Sequence, residues 1–233
     1  MSAALLFPAP AWPTLPVAGG RRVPVARIFC VGRNYAAHAA EMGTEVDRET
    51  PFWFTKSPHA VIESGATVPY PPGTTDYHHE IELVAVLERG GFQVPVEQAN
   101  DLIFGYAAGL DMTRRDLQLA ARAKGRPWDI GKDFEDSAVI GPIVPASRIG
   151  HPVRGAIVLR VNRAVRQQAD MADLAWKVPE LIAHLSTLYR LQPGDVIMTG
   201  TPAGVGPVQP GDSLEGEVEG VGRVSLVVGP RHE

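Results

Sequence analysis

Apolar positions along the chain fall into short runs broken by glycine and proline, and few of them recur at helical spacing. Glu80 to Leu87 reads as a strand from its nearly continuous apolar content. Val23 to Val31 is apolar and β-branched and predicts another strand. Phe52 to Lys56, Ala60 to Val68 and Ile103 to Met112 add three more, and Val196 to Thr199, Leu214 to Val218 and Val224 to Val228 are shorter ones. Ile157 to Gln168 predicts a hairpin turning at Asn162 and Arg163. One clear helical stripe runs through Leu181, Ile182, Leu185 and Leu188, within Val178 to Tyr189. Arg114 to Lys124 predicts a second helix, capped by Thr113 and stopped by Gly125 and Pro127. Tyr35 to Met42 predicts one or two turns after Asn34 as N-cap. The expected architecture is therefore a β-rich α+β domain over residues 21–233, preceded by an extended, Pro-rich N-terminal arm over 1–20.

Composition narrows the functional classes. Hydrophobic residues make up 45% and charged residues 21% of 233 positions, enough for a sizeable core. The 24 glycines and 21 prolines suit a strand-rich fold with many turns. The net charge of −4 and the lack of a Lys/Arg run argue against a nucleic-acid partner. A small anionic substrate still fits, because a pocket can be positive inside an acidic protein. Cys30 is the sole cysteine, so no internal disulfide and no multi-cysteine zinc site can form, which suits a reducing cytoplasm. The apolar N-terminus lacks a basic leader and is broken by prolines, which does not read as a signal peptide. No stretch approaches the ~20 apolar residues of a membrane helix.

Four constellations carry candidate chemistry. Glu80 and Glu82 alternate on one strand, so they share a face roughly 7 Å apart, with Val84 and Val86 continuing that face. Adjacent carboxylates repel, and a bound cation removes that penalty. All-oxygen ligation points to Mg²⁺, Mn²⁺ or Ca²⁺, whereas a solvated strand face is the plainer alternative. Asp111 ends an apolar run before a helix and is either a third ligand or a cap. His38 and Glu41 are three apart on a short helix, a spacing that orients an imidazole to deprotonate water but also describes an ordinary surface pair. Lys56, Arg115, Gln118 and Lys132 each can grip a carboxylate or an oxyanion, and each is individually unremarkable on a surface. The glycine-rich run 200–206 lacks a P-loop ending and suits closure over a ligand through backbone N–H groups.

Six collinear segments resemble the fumarylacetoacetate hydrolase family: 32–38 (GRNYAAH), 54–56 (FTK), 78–83 (HHEIEL), 109–118 (GLDMTRRDLQ), 124–132 (KGRPWDIGK) and 194–206 (GDVIMTGTPAGVG). The resemblance implies a mixed β-sandwich or roll with few short helices, in the compact single-domain branch and usually dimeric. It implies one Mg²⁺ or Mn²⁺ held by Glu80, Glu82 and Asp111, a water-activating dyad of His38 and Glu41, and Lys132 beside the scissile carbonyl. Arg33, Lys56, Arg115, Gln118 and Thr201 match substrate-side positions. Asp133 and Val139 depart from the usual pattern, which has a small or neutral residue and a proline there. The implied reaction is metal-dependent hydrolysis of the C–C bond of an acylpyruvate, first of all fumarylpyruvate, in gentisate-type aromatic catabolism. Decarboxylation of oxaloacetate, hydrolysis of acetylpyruvate, isomerisation of a related keto acid, and a non-catalytic metal-stabilised binding protein are the alternatives. The expected partners are a small keto-acid or dicarboxylate substrate and a second copy of the chain, with no nucleic acid and no membrane.

Overall fold

A computed structural model describes residues 5–9 and 11–231. A mixed sheet forms its centre, in the spatial order Phe52–Lys56, Arg27–Gly32, Asp195–Met198, Ile81–Leu87, Ile103–Asp111, Ala138–Ile140 and Val61–Glu63, with Val144–Pro145 also paired to Ile103–Asp111. A second sheet runs Ala164–Asp170, Ala156–Val161, Ser213–Val218, Gly222–Arg231, Ala66–Tyr70. Parallel pairs join Asp195–Met198 to Arg27–Gly32, Ala138–Ile140 to Val61–Glu63 and Gly222–Arg231 to Ala66–Tyr70; the other pairs within these two sheets are antiparallel. This is the β-rich, mixed architecture expected from the strand-dominated pattern, and the helices are few and short.

The strand Ile81–Leu87 explains why the chain carries so continuous an apolar run there. Every residue of it is buried. Ile81, Leu83, Ala85 and Leu87 enter one core cluster with Leu159, Leu214 and Leu226 of the second sheet. Val84 and Val86 enter another with Ile28, Cys30, Val196 and Met198. Alternation along a strand sends neighbours to opposite faces, so two cores need apolar residues at every position. Part of the N-terminal arm closes the second core: Thr14–Pro16 pairs antiparallel with Arg22–Pro24, and Leu15 and Val17 are buried there. Residues 1–4 and 10 of the arm lie outside the described residues.

Several local expectations need correction. The predicted strand Val23 to Val31 is two, Arg22–Pro24 and Arg27–Gly32, and Ala60 to Val68 divides into Val61–Glu63 and Ala66–Tyr70 around Gly65 at φ +92°. The first helix, α1, is Ala36–Glu41, with Tyr35 rather than Asn34 at its N-cap and no side-chain cap bond. Asn34 instead clamps two distant segments: its amide donates to the carbonyls of Thr199 and Trp176, and its oxygen accepts from Trp176 N–H at 2.7 Å. The second helix, α2, is Arg115–Ala123, and Thr113 does not cap it; its hydroxyl bonds to Asp111 O. A short helix, α3, covers Asp129–Lys132, which no hydrophobic period announced. Two further helices are α4, Ala146–Ile149, and α5, Val178–Leu188. Leu181, Ile182 and Leu185 of α5 are buried, but Leu188 is 57% exposed and falls off the stripe as the helix ends. Asn162 and Arg163 turn the hairpin with φ of 50° and 69°, both in the left-handed region that a type I′ turn requires. Of the two departures from the family pattern, Asp133 accepts the N–H of Ser57 at 2.7 Å, and Val139 is buried in the middle of Ala138–Ile140, the strand next to the sheet's edge.

Candidate active site

Glu82 lies on Ile81–Leu87, and Glu80 lies just before it, still tied to the ladder because Asp111 N–H donates to Glu80 O at 2.8 Å. That pairing sets the end of Ile103–Asp111 against the start of the neighbouring strand and gathers three carboxylates. One oxygen from each of Glu80, Glu82 and Asp111 lies within 4.8 Å of the others, and all three residues are buried.

Cations surround the cluster. Lys132 Nζ lies 2.7 Å from Glu80 Oε2 and 2.7 Å from Asp111 Oδ2. Lys56 Nζ stands 2.8 Å from Asp111 Oδ1, and Arg115 pairs with Glu80. Three cations thus offset three carboxylates, yet unequally. Burial pushes the Glu80 carboxyl up, but Lys132 and Arg115 outweigh it and hold Glu80 well below the usual range. Glu82 goes the other way: burial, then the charges of Asp111 and Glu80, push it well above the usual range. Burial pulls the Lys132 ammonium down, but Asp111 and Glu80 more than compensate, so it stays charged.

The cluster fits a divalent cation on its own geometry. Asp111 Oδ1 is buried without a hydrogen-bond donor, because Lys56 approaches it off the direction of a hydrogen bond. Three convergent carboxylates are hard oxygen donors of the kind Mg²⁺ and Mn²⁺ prefer.

The surrounding elements are held by close backbone approaches. Gly200, at φ +97°, donates its N–H to Glu82 Oε2 at 2.8 Å, and a Cβ there would lie 2.8 Å from that of Asn34. Gly131 on α3 packs against α2 so tightly that a Cβ would meet Gln118 N at 2.7 Å. That contact brings Lys132 beside Gln118 and Arg115.

Most of the residues singled out from sequence meet around one cleft. Glu80, Glu82, Lys132 and Arg115 form its charged floor; Arg33, His38, Gln118 and Thr201 also line it. Glu41 stands beside His38, its Oε2 3.1 Å from Nδ1, and receives Gly204 N–H at 3.1 Å from the glycine-rich loop. Thr201 has its hydroxyl engaged, donating to Ile81 O and receiving Gln167, each at 2.8 Å. Lys56 is not on the cleft wall; it is fully buried behind Asp111, bonded to the carbonyls of Met112 and Lys132.

Two residues of the site were not anticipated. Gln167, buried on the second sheet, accepts Ile81 N–H, pairs with His79 Nδ1 at 3.0 Å, and donates to Thr201 and Pro202 O. It ties the acidic strand to the glycine-rich loop, and the adjacent Gln168 gave no reason to prefer it. Arg122 also lines the cleft, on the same face of α2 as Arg115 and Gln118. Its spacing of seven from Arg115 was the available signal.

The family model described as Fumarylacetoacetate (FAA) hydrolase C-terminal matches residues 27–228. The fumarylpyruvate hydrolase of Ralstonia sp is 56% identical over 191 residues, which is 81% of this chain and 99% of that protein. A mitochondrial oxaloacetate tautomerase of Arabidopsis thaliana is 40% identical over 202 residues, 87% of this chain and 90% of that protein. Among solved structures, that of fumarylpyruvate hydrolase from Pseudomonas aeruginosa in complex with Mn²⁺ and pyruvate matches with a TM-score of 0.94 at 48% identity, covering 98% of this chain and 100% of that one.

Proposed function

This chain belongs to the fumarylacetoacetate hydrolase family, and we propose on that footing that it hydrolyses the C–C bond of an acylpyruvate, converting fumarylpyruvate to fumarate and pyruvate. The observation that carries the reading is one cleft lined by Glu80 and Glu82, of an acidic triad suited to Mg²⁺ or Mn²⁺, and by His38, which Glu41 backs for activating water.

Glu80, Glu82 and Asp111 hold the cation. When bound, it supplies Lewis acidity that polarises the keto acid and accommodates the charge of the departing pyruvate enolate. With Glu41 ionised, His38 donates through Nδ1, which fixes the tautomer and leaves Nε2 to take a proton from water. The resulting hydroxide adds to the carbonyl of the acyl arm. Lys132, kept charged by its carboxylate neighbours, stabilises the oxyanion. Collapse of that adduct breaks the bond to the pyruvate methylene, and the enolate takes up a proton as pyruvate. Arg115 and Gln118 orient the keto-acid carboxylate from α2. Lys56 acts through Asp111, holding that ligand in place from behind.

Among the described residues no helix is long and apolar enough to cross a membrane. The lone, buried Cys30 supports placement in a reducing cytoplasm. The family resemblance supports a homodimer, and fumarylpyruvate as substrate supports a place in aromatic catabolism through gentisate.

Product analysis in ¹⁸O-water tests the reaction. Purified protein with Mn²⁺ and fumarylpyruvate should yield fumarate and pyruvate in equal amounts, with one solvent oxygen in fumarate. Carbon dioxide release, or turnover without label in fumarate, would exclude hydrolysis.

A further inference from the structure

Arg115 and Gln118 enter the cleft from one face of α2, and Arg122 follows on that face seven positions after Arg115. The helical rise of 1.5 Å places it about 10 Å further along the axis. That is the order of length of an extended seven-carbon diacid. Arg33 lines the cleft as well, with its guanidinium 5.3 Å above the Phe52 ring. It holds φ +62°, a left-handed conformation uncommon for a residue with a side chain and concentrated at functional sites.

These two arginines differ from every other cation of the cleft. Arg115 pairs with Glu80, and Lys132 with Glu80 and Asp111. Among the described residues neither Arg33 nor Arg122 lies within ion-pair distance of a carboxylate; Arg122 donates only to Met42 O, at 3.1 Å. They also sense one another. Burial pulls the Arg33 guanidinium below its ordinary pKa, and the charge of Arg122 pulls it further. Two like charges held near each other in a partly desolvated cleft of an acidic protein lack a counter-charge, and an anion supplies it.

We propose that Arg33 and Arg122 form a second anion subsite that reads the terminal carboxylate of the acyl arm, so that the enzyme selects acylpyruvates with a charged far end over neutral ones. The proposal rests on the acylpyruvate reading above and deepens it. The cleft is then bipolar: the acidic triad with its cation takes the keto-acid head, and the two arginines take the far carboxylate. Arg122 has another job, since its bond to Met42 O steadies the end of α1. That contact is blind to the acyl arm, so its loss would slow all acylpyruvates alike.

The test compares fumarylpyruvate with acetylpyruvate, which has a neutral methyl in place of the far carboxylate, in the full protein loaded with Mn²⁺. In Arg122→Gln the ratio of kcat/KM for fumarylpyruvate to that for acetylpyruvate should fall on the order of 10- to 100-fold, the worth of one charge-assisted hydrogen bond, with the change in KM rather than kcat. Arg122→Lys should restore part of the ratio, because it keeps the charge. Arg33→Gln should lower the ratio in the same direction. An unchanged ratio in Arg122→Gln and Arg33→Gln, with both substrates still cleaved, overturns the subsite and leaves the reaction standing. Failure of the unaltered protein to cleave either substrate overturns the acylpyruvate reading, and the subsite with it.

Discussion

Gly200 N–H donates to Glu82 Oε2 at 2.8 Å, and among the described residues this is the only hydrogen bond the Glu82 carboxylate receives. Glu80 and Asp111 are held by lysine and arginine, but Glu82 relies on one backbone amide and is left the most costly of the three to ionise. A divalent cation is the partner that relieves it.

Stability of the metal-free protein should therefore depend on pH in a set direction. Glu82 keeps its proton in the fold to higher pH than in the unfolded chain. Its contribution is fully present below the ordinary carboxylate pKa and is lost as pH rises toward its raised value. Glu80 has the opposite shift, but its loss falls below the ordinary carboxylate range, outside a scan from pH 5 to 8. The Tm gained on adding Mn²⁺, relative to protein in EDTA, should grow across that scan. A gain independent of pH would show that Glu82 is not the carboxylate the cation relieves.

Glu82→Gln separates cation binding from folding. The amide keeps the shape and can still accept from Gly200, but it cannot ionise, so it avoids the cost of a buried, poorly compensated charge as pH rises. We expect the metal-free variant to be as stable as the parent or about 1 kcal/mol more so, roughly 2–4 °C in Tm for a chain of this size. Titration calorimetry should detect no stoichiometric binding of Mn²⁺. Unchanged affinity would remove Glu82 from the ligand set.

The segment 35–45 should behave as a lid. α1 has six residues, lacks a side-chain cap, and exposes Ala36, Ala37 and Ala40, so little packing holds it. Its flanks are pinned: Asn34 clamps Trp176, and Trp176 Nε1 donates to Asp47 O. Amide exchange over 36–42 should be fast in the free protein and slow several-fold when Mn²⁺ and oxalate are added. Equal protection in both states would mean that α1 is a fixed wall.

The triad was only half legible: alternation put Glu80 and Glu82 on one face, but Asp111 read equally as a cap, and it joined them only through the family resemblance. The pairing of 81–87 with 103–111, which brings Asp111 to the two glutamates, is a property of the sheet. Helical spacing placed His38 and Glu41 on one face but described an ordinary surface pair equally well, and only the resemblance gave them a role. The burial of Lys56 was not: its segment reads as an ordinary alternating strand, and only the fold reveals that its last residue points behind Asp111. Asn34 and Thr113 misled as caps because their side chains are engaged otherwise: Asn34 with Trp176 and Thr199 far along the chain, and Thr113 with Asp111 O just before it. Gln167 was hidden for a similar reason, since its partners come from segments 34 or more positions away. Arg122 was missed although its spacing from Arg115 was there to read, because its importance depends on lacking a carboxylate partner, a property of the assembled cleft.

The most direct test of the central claim, that His38 activates the water that cleaves an acylpyruvate, is to assay His38→Ala with saturating Mn²⁺ on two substrates. Hydrolysis of fumarylpyruvate should fall on the order of 10²- to 10⁴-fold, the usual worth of a positioned general base. Any decarboxylation of oxaloacetate, which needs no activated water, should fall far less. Equal losses on both substrates would contradict the role of His38 as base and leave it a part of the lid.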